Sequence, residues 1–191
     1  MSEYDNRIYD LITSSEEKFK SSFEIANHLN MVKNRLIKKF WESVEKELHV
    51  LNERENLFKI VLEQDVFRRY SKCYLYINNN INVRISYQNL SDYQYIGLWV
   101  DNNLANHYEI NKYIEGLENT IPDLSKNGWW VTIRDLNEDF NRLDSLLMIL
   151  PEHSLEHSKR KALELFEYAK ENIEHIKYIG THCFNKNERI G

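Results

Sequence analysis

The stretch Cys73-Tyr74-Leu75-Tyr76-Ile77-Asn78-Asn79-Asn80-Ile81-Asn82-Val83-Arg84-Ile85-Ser86-Tyr87 decides the fold of this chain. From Ile81 to Tyr87 the odd positions are apolar and the even ones polar, the period-2 pattern of a strand with one buried face. Ile81, Val83, Ile85 and Tyr87 are therefore expected inside, with Asn82, Arg84 and Ser86 on the other face. Tyr74 to Ile77 forms the preceding strand, joined through three asparagines, a residue type that tolerates positive φ and bonds its own backbone. Tyr93 to Val100, after Asn89-Leu90-Ser91-Asp92, is a third strand and makes the hairpin a meander.

On both sides of this meander the period changes to helical. Leu29, Val32, Leu36, Phe40, Val44, Leu48 and Leu51 recur three or four apart, which predicts a helix from about Ile25 to Leu51, buried along one face for its whole length. Capping signals at Thr13-x-x-Glu16, Ser14-x-x-Glu17 and Ser21-x-x-Glu24 predict helix starts near residues 14 and 22. Glu55 to Tyr70 reads either as a short strand or as a helical turn and connector. Downstream, Leu104, Tyr108, Asn111, Ile114, Leu117 and Ile121 mark a helix stopped by Pro122, and Gly128 to Ile133 a further strand. Asn137 is expected to cap a helix burying Phe140, Leu143, Leu146, Leu147 and Leu150. Pro151 opens a last helix that buries Leu155, Ala162, Phe166, Ala169, Ile173 and Ile176. The order predicts an α+β fold: an antiparallel sheet, three strands of meander plus at least one more, packed against long amphipathic helices. A single α+β domain over 1–191 is expected, with an N-terminal helical segment at 1–21 and a tail at 181–191.

Composition narrows the function classes. The chain has 191 residues, 42% hydrophobic and 29% charged, close to globular averages. Its 5 glycines and 2 prolines argue for long regular elements and against Gly-rich phosphate loops. A formal charge of -5 supplies no whole-molecule attraction to nucleic acid or to an anionic membrane, so such binding would need a local patch. No run reaches the roughly 18 to 20 apolar residues that span a bilayer, and Met1 to Lys20 is too charged for a signal peptide. A cytoplasmic protein is expected. Two cysteines, Cys73 and Cys183, are too few for a disulfide framework and are expected to be free thiols. Abundant Asn, Ile, Lys and Tyr fit an AT-rich bacterial or phage genome.

Candidate chemistry is sparse. His153 and His157, four apart beside Glu156, have the spacing of a zinc pair but need a third ligand; without one they read as solvated surface histidines. Neither a nucleophile elbow nor a phosphate loop is present. No catalytic residue, metal or cofactor is assigned, and the balance is against an enzyme, although a site scattered along the chain stays open. The binding candidates are Arg68, Arg69, Lys72 and Arg84, whose charges can hold phosphates, with Tyr93, Tyr95 and Trp99, which alternate onto one sheet face and can stack bases. The same aromatic and guanidinium groups suit a protein partner.

Phe40-Trp41-Glu42-Ser43-Val44 on a long helix, Tyr95-Ile96-Gly97-Leu98 closing the meander, Gly128-Trp129-Trp130 and two final amphipathic helices occur in a familiar order. Over about residues 36 to 176 this order resembles the segment downstream of the nuclease core in bacterial PD-(D/E)XK-type proteins. The resemblance carries no catalytic residue: Pro122-Asp123 imitates the first half of the nuclease signature, but no Glu-x-Lys or Asp-x-Lys follows, and Glu16-Glu17-Lys18 precedes it. It implies a nuclease-associated, nucleic-acid-binding accessory domain. The residues themselves favour a non-enzymatic module that binds a protein partner through the meander and its flanking helices, in nucleic-acid metabolism or defence.

Overall fold

The computed structural model of the chain describes residues 2–77, 80–117, 123–125 and 128–184. Residues 1–36 and 37–191 form two compact units.

The first unit is helical. α1 (Glu3–Thr13) opens on a reciprocal cap in which the Ser2 hydroxyl accepts from the Asp5 amide at 3.2 Å and the Asp5 carboxylate accepts from the Ser2 amide at 2.7 Å. Thr13 and Ser14 do not start the next helix, because their hydroxyls donate back to the carbonyls of Tyr9 and Leu11. Ser15 takes that role by accepting from the Lys18 amide at 3.2 Å, and α2 (Glu16–Glu55) begins there. The expected start near residue 22 does not occur, since Ser21 and Ser22 lie within α2. The stripe of α2 is not buried along its whole length either: Ile25, Leu29 and Val32 are exposed, and burial begins at Ile37.

In the second unit a five-stranded antiparallel sheet has its strands in sequence order: β1 (Lys59–Leu62), β2 (Lys72–Tyr76), β3 (Val83–Gln88), β4 (Tyr95–Val100) and β5 (Trp130–Asp135). The ambiguous segment after Glu55 is thus an edge strand. Asn52 steers the chain into it: its carboxamide oxygen accepts from the Leu57 and Phe58 amides, its nitrogen donates to the Phe58 carbonyl at 2.7 Å, and Asn56 takes the left-handed turn. Val83, Ile85 and Tyr87 are fully buried as the alternation requires. Ile81 is not: β3 begins at Val83, opposite Val100, and Ile81 sits in the preceding turn, 44% exposed. Asn78 and Asn79 lie outside the described residues. Ser86 and Gln88, on the opposite face, are buried as well, so large neighbours close both faces at the sheet centre.

One face of the sheet takes the helices. Ile37, Phe40, Trp41, Val44 and Leu48 of α2 are buried, and the Trp41 indole N–H donates to the Leu90 carbonyl at 2.7 Å. α5 (Pro151–Glu171) opens with proline in its first turn and brings in Ala162, Leu165, Phe166 and Ala169. The last helix is two helices, broken at Asn172, whose side chain donates to the Tyr168 carbonyl; α6 (Ile173–His182) then buries Ile176 and Ile179. Leu155, expected inside, is exposed, while His157, Ser158 and Lys161 are buried.

Two other helices depart from expectation. α3 (His107–Leu117) starts later than Leu104, leaves Tyr108 exposed and buries Ile110 and Ile114; Ile121 and Pro122 lie outside the described residues. Asn137 does not cap a helix. It adopts a left-handed φ of 53°, the Asp139 carboxylate forms a turn by accepting from the Asn141 amide, and the five-residue α4 (Leu143–Leu147) follows with none of its residues buried. Phe140 alone of that group is fully buried. Cys73 and Cys183 are buried free thiols, and burial pushes the Cys183 thiol up to about 11. No helix among the described residues is long and apolar enough to cross a membrane.

Candidate functional site

The register decides which residues share the sheet face opposite the helices. Arg84 pairs with Trp99, Ser86 with Gly97 and Gln88 with Tyr95, while Lys72 and Tyr74 of β2 stand across from Gln88 and Ser86. Alternation therefore gathers Lys72, Tyr74, Tyr76, Arg84, Tyr95 and Trp99 on one side. Helix contacts fall on the other: Trp41 lies against Tyr87, the Tyr87 hydroxyl donates to Glu164, and Tyr168 bonds Thr132.

Arg84 is the centre of the gathered face. Its guanidinium carbon lies 3.8 Å from the Trp99 ring centre and 4.5 Å from that of Tyr74, a clamp that stacks a delocalised cation between two π faces. The row extends on both sides, with Trp129 stacked on Trp99 at 5.8 Å and Tyr76 6.2 Å from Tyr74. Beside it Tyr95 and Trp130 meet edge to face at 5.3 Å, over Gly97. A side chain at position 97 would strike the Trp130 ring and the Thr132 carbonyl, so glycine there lets the tryptophan lie flat. Arg84 Nε and Gln88 Oε1 are buried and have no hydrogen-bond partner among the described residues.

The electrostatics of the face are cationic at one end. The Lys72 ammonium, 5.8 Å from the Trp99 ring centre, has its pKa lowered, first by burial and then by the charges of Arg84 and Arg68, with Glu63 opposing. Arg69 lies over Tyr70 at 4.7 Å, and burial together with the neighbouring Tyr70 pushes the Tyr95 phenol up to about 12. Six of the seven candidates read from the sequence, Arg68, Arg69, Lys72, Arg84, Tyr95 and Trp99, thus belong to one neighbourhood. Tyr93 does not extend the strand face: it precedes β4 with a left-handed φ of 27° and is 72% exposed. Tyr74, Trp129 and Trp130 escaped the alternation pattern. The Trp129-Trp130 doublet was a visible signal, but the register that seats Trp129 on Trp99 was not.

A second polar cluster joins α5 to the helix-covered face. The Lys161 ammonium, 3% exposed, lies 3.0 Å from Glu138 Oε2 and 3.8 Å from Glu164 Oε2. Arg134 donates to Glu164 Oε1 at 3.0 Å and the Tyr87 hydroxyl to Oε2 at 2.7 Å. Burial raises the Glu138 carboxyl, but the neighbouring His157 and the Lys161 charge outweigh it and hold its pKa below the usual value. His157 is not a solvated surface residue. It stacks on Phe40 at 5.0 Å, and its Nδ1 accepts from the Arg160 guanidinium at 2.6 Å, so its remaining N–H faces Glu138 Oε2 at 3.7 Å. His153 lies exposed beside Glu152. Among the described residues no three His, Cys, Asp or Glu side chains are grouped to hold a metal ion. A cleft of about 250 Å³ opens over this cluster, lined by Glu138, Asp144, Ser145, Met148, His157 and Arg160. The paired charges here neutralise a buried cation and pin α5 to β3 and β5.

Comparison with protein-family models, with curated proteins and with solved structures gives no match.

Proposed function

We propose that residues 37–191 are a non-enzymatic interaction module that binds a protein partner through the sheet face opposite the helices. The observation that carries this reading is the Tyr74–Arg84–Trp99–Trp129 row. Its rings and guanidinium are already fixed against one another, so Arg84 and Trp129, backed by the buried Tyr74 and Trp99, meet a partner pre-ordered, at small entropic cost, and are of the residue types that dominate interface hot spots. Trp99 is only 8% exposed and occupied by Arg84, which argues against its use as a free base-stacking platform. Half-exposed Lys72, Tyr76, Arg84 and Tyr95, with exposed Trp129, Tyr70 and Phe67 around them, offer the contact area. A bacterial or phage pathway of nucleic-acid metabolism or defence is the setting that fits the nuclease-associated resemblance.

The second reading is a nucleic-acid-binding accessory domain related to PD-(D/E)XK-type nucleases. It is favoured by the gathering of Arg68, Arg69, Lys72 and Arg84, cations whose charge phosphate would neutralise; the Lys72 pKa is lowered first by burial and then by Arg84 and Arg68. Titration of labelled single- and double-stranded DNA and RNA at low and moderate salt separates the two. Protein binding predicts weak association with nucleic acid, insensitive to Arg68→Glu with Arg69→Glu. Submicromolar binding abolished by that pair, with a salt slope that falls by about 0.7 to 0.9 for each phosphate no longer neutralised, would overturn it.

A further inference from the structure

The two margins of the sheet differ. Beyond β5 the segment 123–125 runs alongside, with the Ser125 amide donating to the Val131 carbonyl at 2.9 Å and the Ile133 amide to the Asp123 carbonyl at 2.8 Å. At the other margin β1 turns alternate residues outward. The Glu63 amide donates to the Lys72 carbonyl at 3.0 Å, so in the register of β1 with β2 the residues Lys59, Val61 and Glu63 bond inward. Phe58, Ile60 and Leu62 therefore present their N–H and C=O groups away from the sheet. Asn52 closes Phe58, accepting from its amide at 3.0 Å and donating to its carbonyl at 2.7 Å, as a neighbouring strand would. Ile60 and Leu62 keep four open backbone groups, with no partner for them among the described residues. Such a row is a template for a further strand.

We propose that β1 pairs antiparallel with β1 of a second copy of the chain, across a two-fold axis at Val61. The inference is independent of the sheet-face reading. Outward residues must meet outward residues, and the existing cap then selects the register. Ile60 against Ile60 would set Leu62 on the already capped Phe58, and Leu62 against Leu62 would set Ile60 on Gln64, where the backbone bends beyond β1. Ile60 against Leu62, made twice, satisfies all four open groups and disturbs neither. The same register brings Lys59 opposite Glu63 of the second copy, twice, and Val61 opposite itself. Lys59, Val61 and Glu63 share the sheet face of their β2 partners Tyr76, Tyr74 and Lys72, so the opposed charges lie side by side on one face. Lys59-Ile60-Val61-Leu62-Glu63 is thus its own antiparallel complement, in backbone groups and in charge together. A lysine guards a sheet edge when the strand that would join it brings no acid, and here the joining strand brings one. Lys59 is exposed and has no ion pair among the described residues, while Glu63 is held by the Lys72 amide, which donates to its Oε2 at 3.2 Å.

Sedimentation equilibrium and amide exchange of the full chain, followed against concentration, test this. Two residue pairs bury little area, so a weak reversible dimer is expected, populated between about 10 µM and 1 mM. As it forms, exchange of the Ile60 and Leu62 amides should slow at least fivefold, while that of Val61 and Glu63, already bonded to β2, should not change. Lys59→Glu and Glu63→Lys should each weaken the dimer at least fivefold. Mixing the two variants should restore it as a heterodimer, because acid then meets base at both pairs. Under mild oxidation Val61→Cys should form a disulfide between copies, its Cα atoms about 4.5 Å apart across the axis, and Lys59→Cys should not, at roughly 14 Å. The buried native cysteines do not compete. A chain still monomeric at about 1 mM overturns the proposal, as does a monomer whose edge is filled by a strand of another protein. So does a dimer whose Ile60 and Leu62 amides gain no protection, or one that mixing the charge variants fails to restore.

Discussion

Replacing Lys161 with methionine keeps the length and apolar stem of the side chain and removes only its charge. In the folded chain that ammonium is 3% exposed, 3.0 Å from Glu138, 3.8 Å from Glu164 and 5.0 Å from the Tyr87 ring centre. Deleting one member of a buried charge pair leaves the other uncompensated and costs about 3–5 kcal/mol. Here the lower end applies. Glu138 is about a quarter exposed, His157 still faces it, and Arg134 still holds Glu164. A loss of about 3 kcal/mol is therefore expected for Lys161→Met, a large part of a typical domain's ~5–15 kcal/mol. Urea unfolding followed by tryptophan fluorescence reads it directly, since Trp41 lies against Tyr87. The sign of the pH dependence is also fixed. The folded Glu138 pKa is below its unfolded value of ~4.3, so its stabilisation is complete above that pH and lost as pH falls through the folded pKa. Without Lys161 the carboxyl has less stabilisation to lose, and the gap between wild type and variant should narrow on acidification. A loss under about 1 kcal/mol, or a gap that widens with acid, would refute this account of the cluster.

Other substitutions probe the sheet. Val83→Asp buries an unpaired carboxylate at a fully buried position and is expected to cost several kcal/mol; an unchanged melting temperature would contradict the assignment of β3. Gly97→Ala forces a methyl against the Trp130 ring at 2.8 Å and the Thr132 carbonyl, and should destabilise by about 1–3 kcal/mol in urea unfolding; a neutral result would mean that Trp130 does not lie over β4. Arg84→Ala should lose about 0.5–2 kcal/mol and shift the near-ultraviolet signal of Trp99, whereas loss of signal without loss of stability would show that the clamp adds nothing to the fold.

The meander was legible because alternation survives wherever one face meets a core, as at Val83, Ile85 and Tyr87. Ile81 misled because its period matched while its partner strand had already ended at Val100. The α2 stripe was read correctly in period and wrongly in burial: periodicity says that a face seeks a partner, not that the same chain supplies it. Nothing local in the run Lys159-Arg160-Lys161 singles out Lys161 for burial, which is made tolerable by Glu164 one turn on together with Glu138, 23 positions earlier and off the helix. The basic and aromatic candidates converged because β2, β3 and β4 are sequential and antiparallel, so the face assigned to one strand carried to its neighbours. The clamp of Arg84 between Tyr74 and Trp99 depends on register across two turns, which no local pattern encodes.

The central claim is that a protein partner is recognised by the sheet face opposite the helices, and quantitative capture from a lysate of the source organism tests it most directly. The wild type, a face variant (Tyr70→Ala with Trp129→Ala) and a control variant at exposed Leu155 on α5 would be compared by mass spectrometry, each verified as folded. The account predicts one protein enriched equally by wild type and control and at least tenfold less by the face variant. Enrichment of the same partner by all three would contradict it.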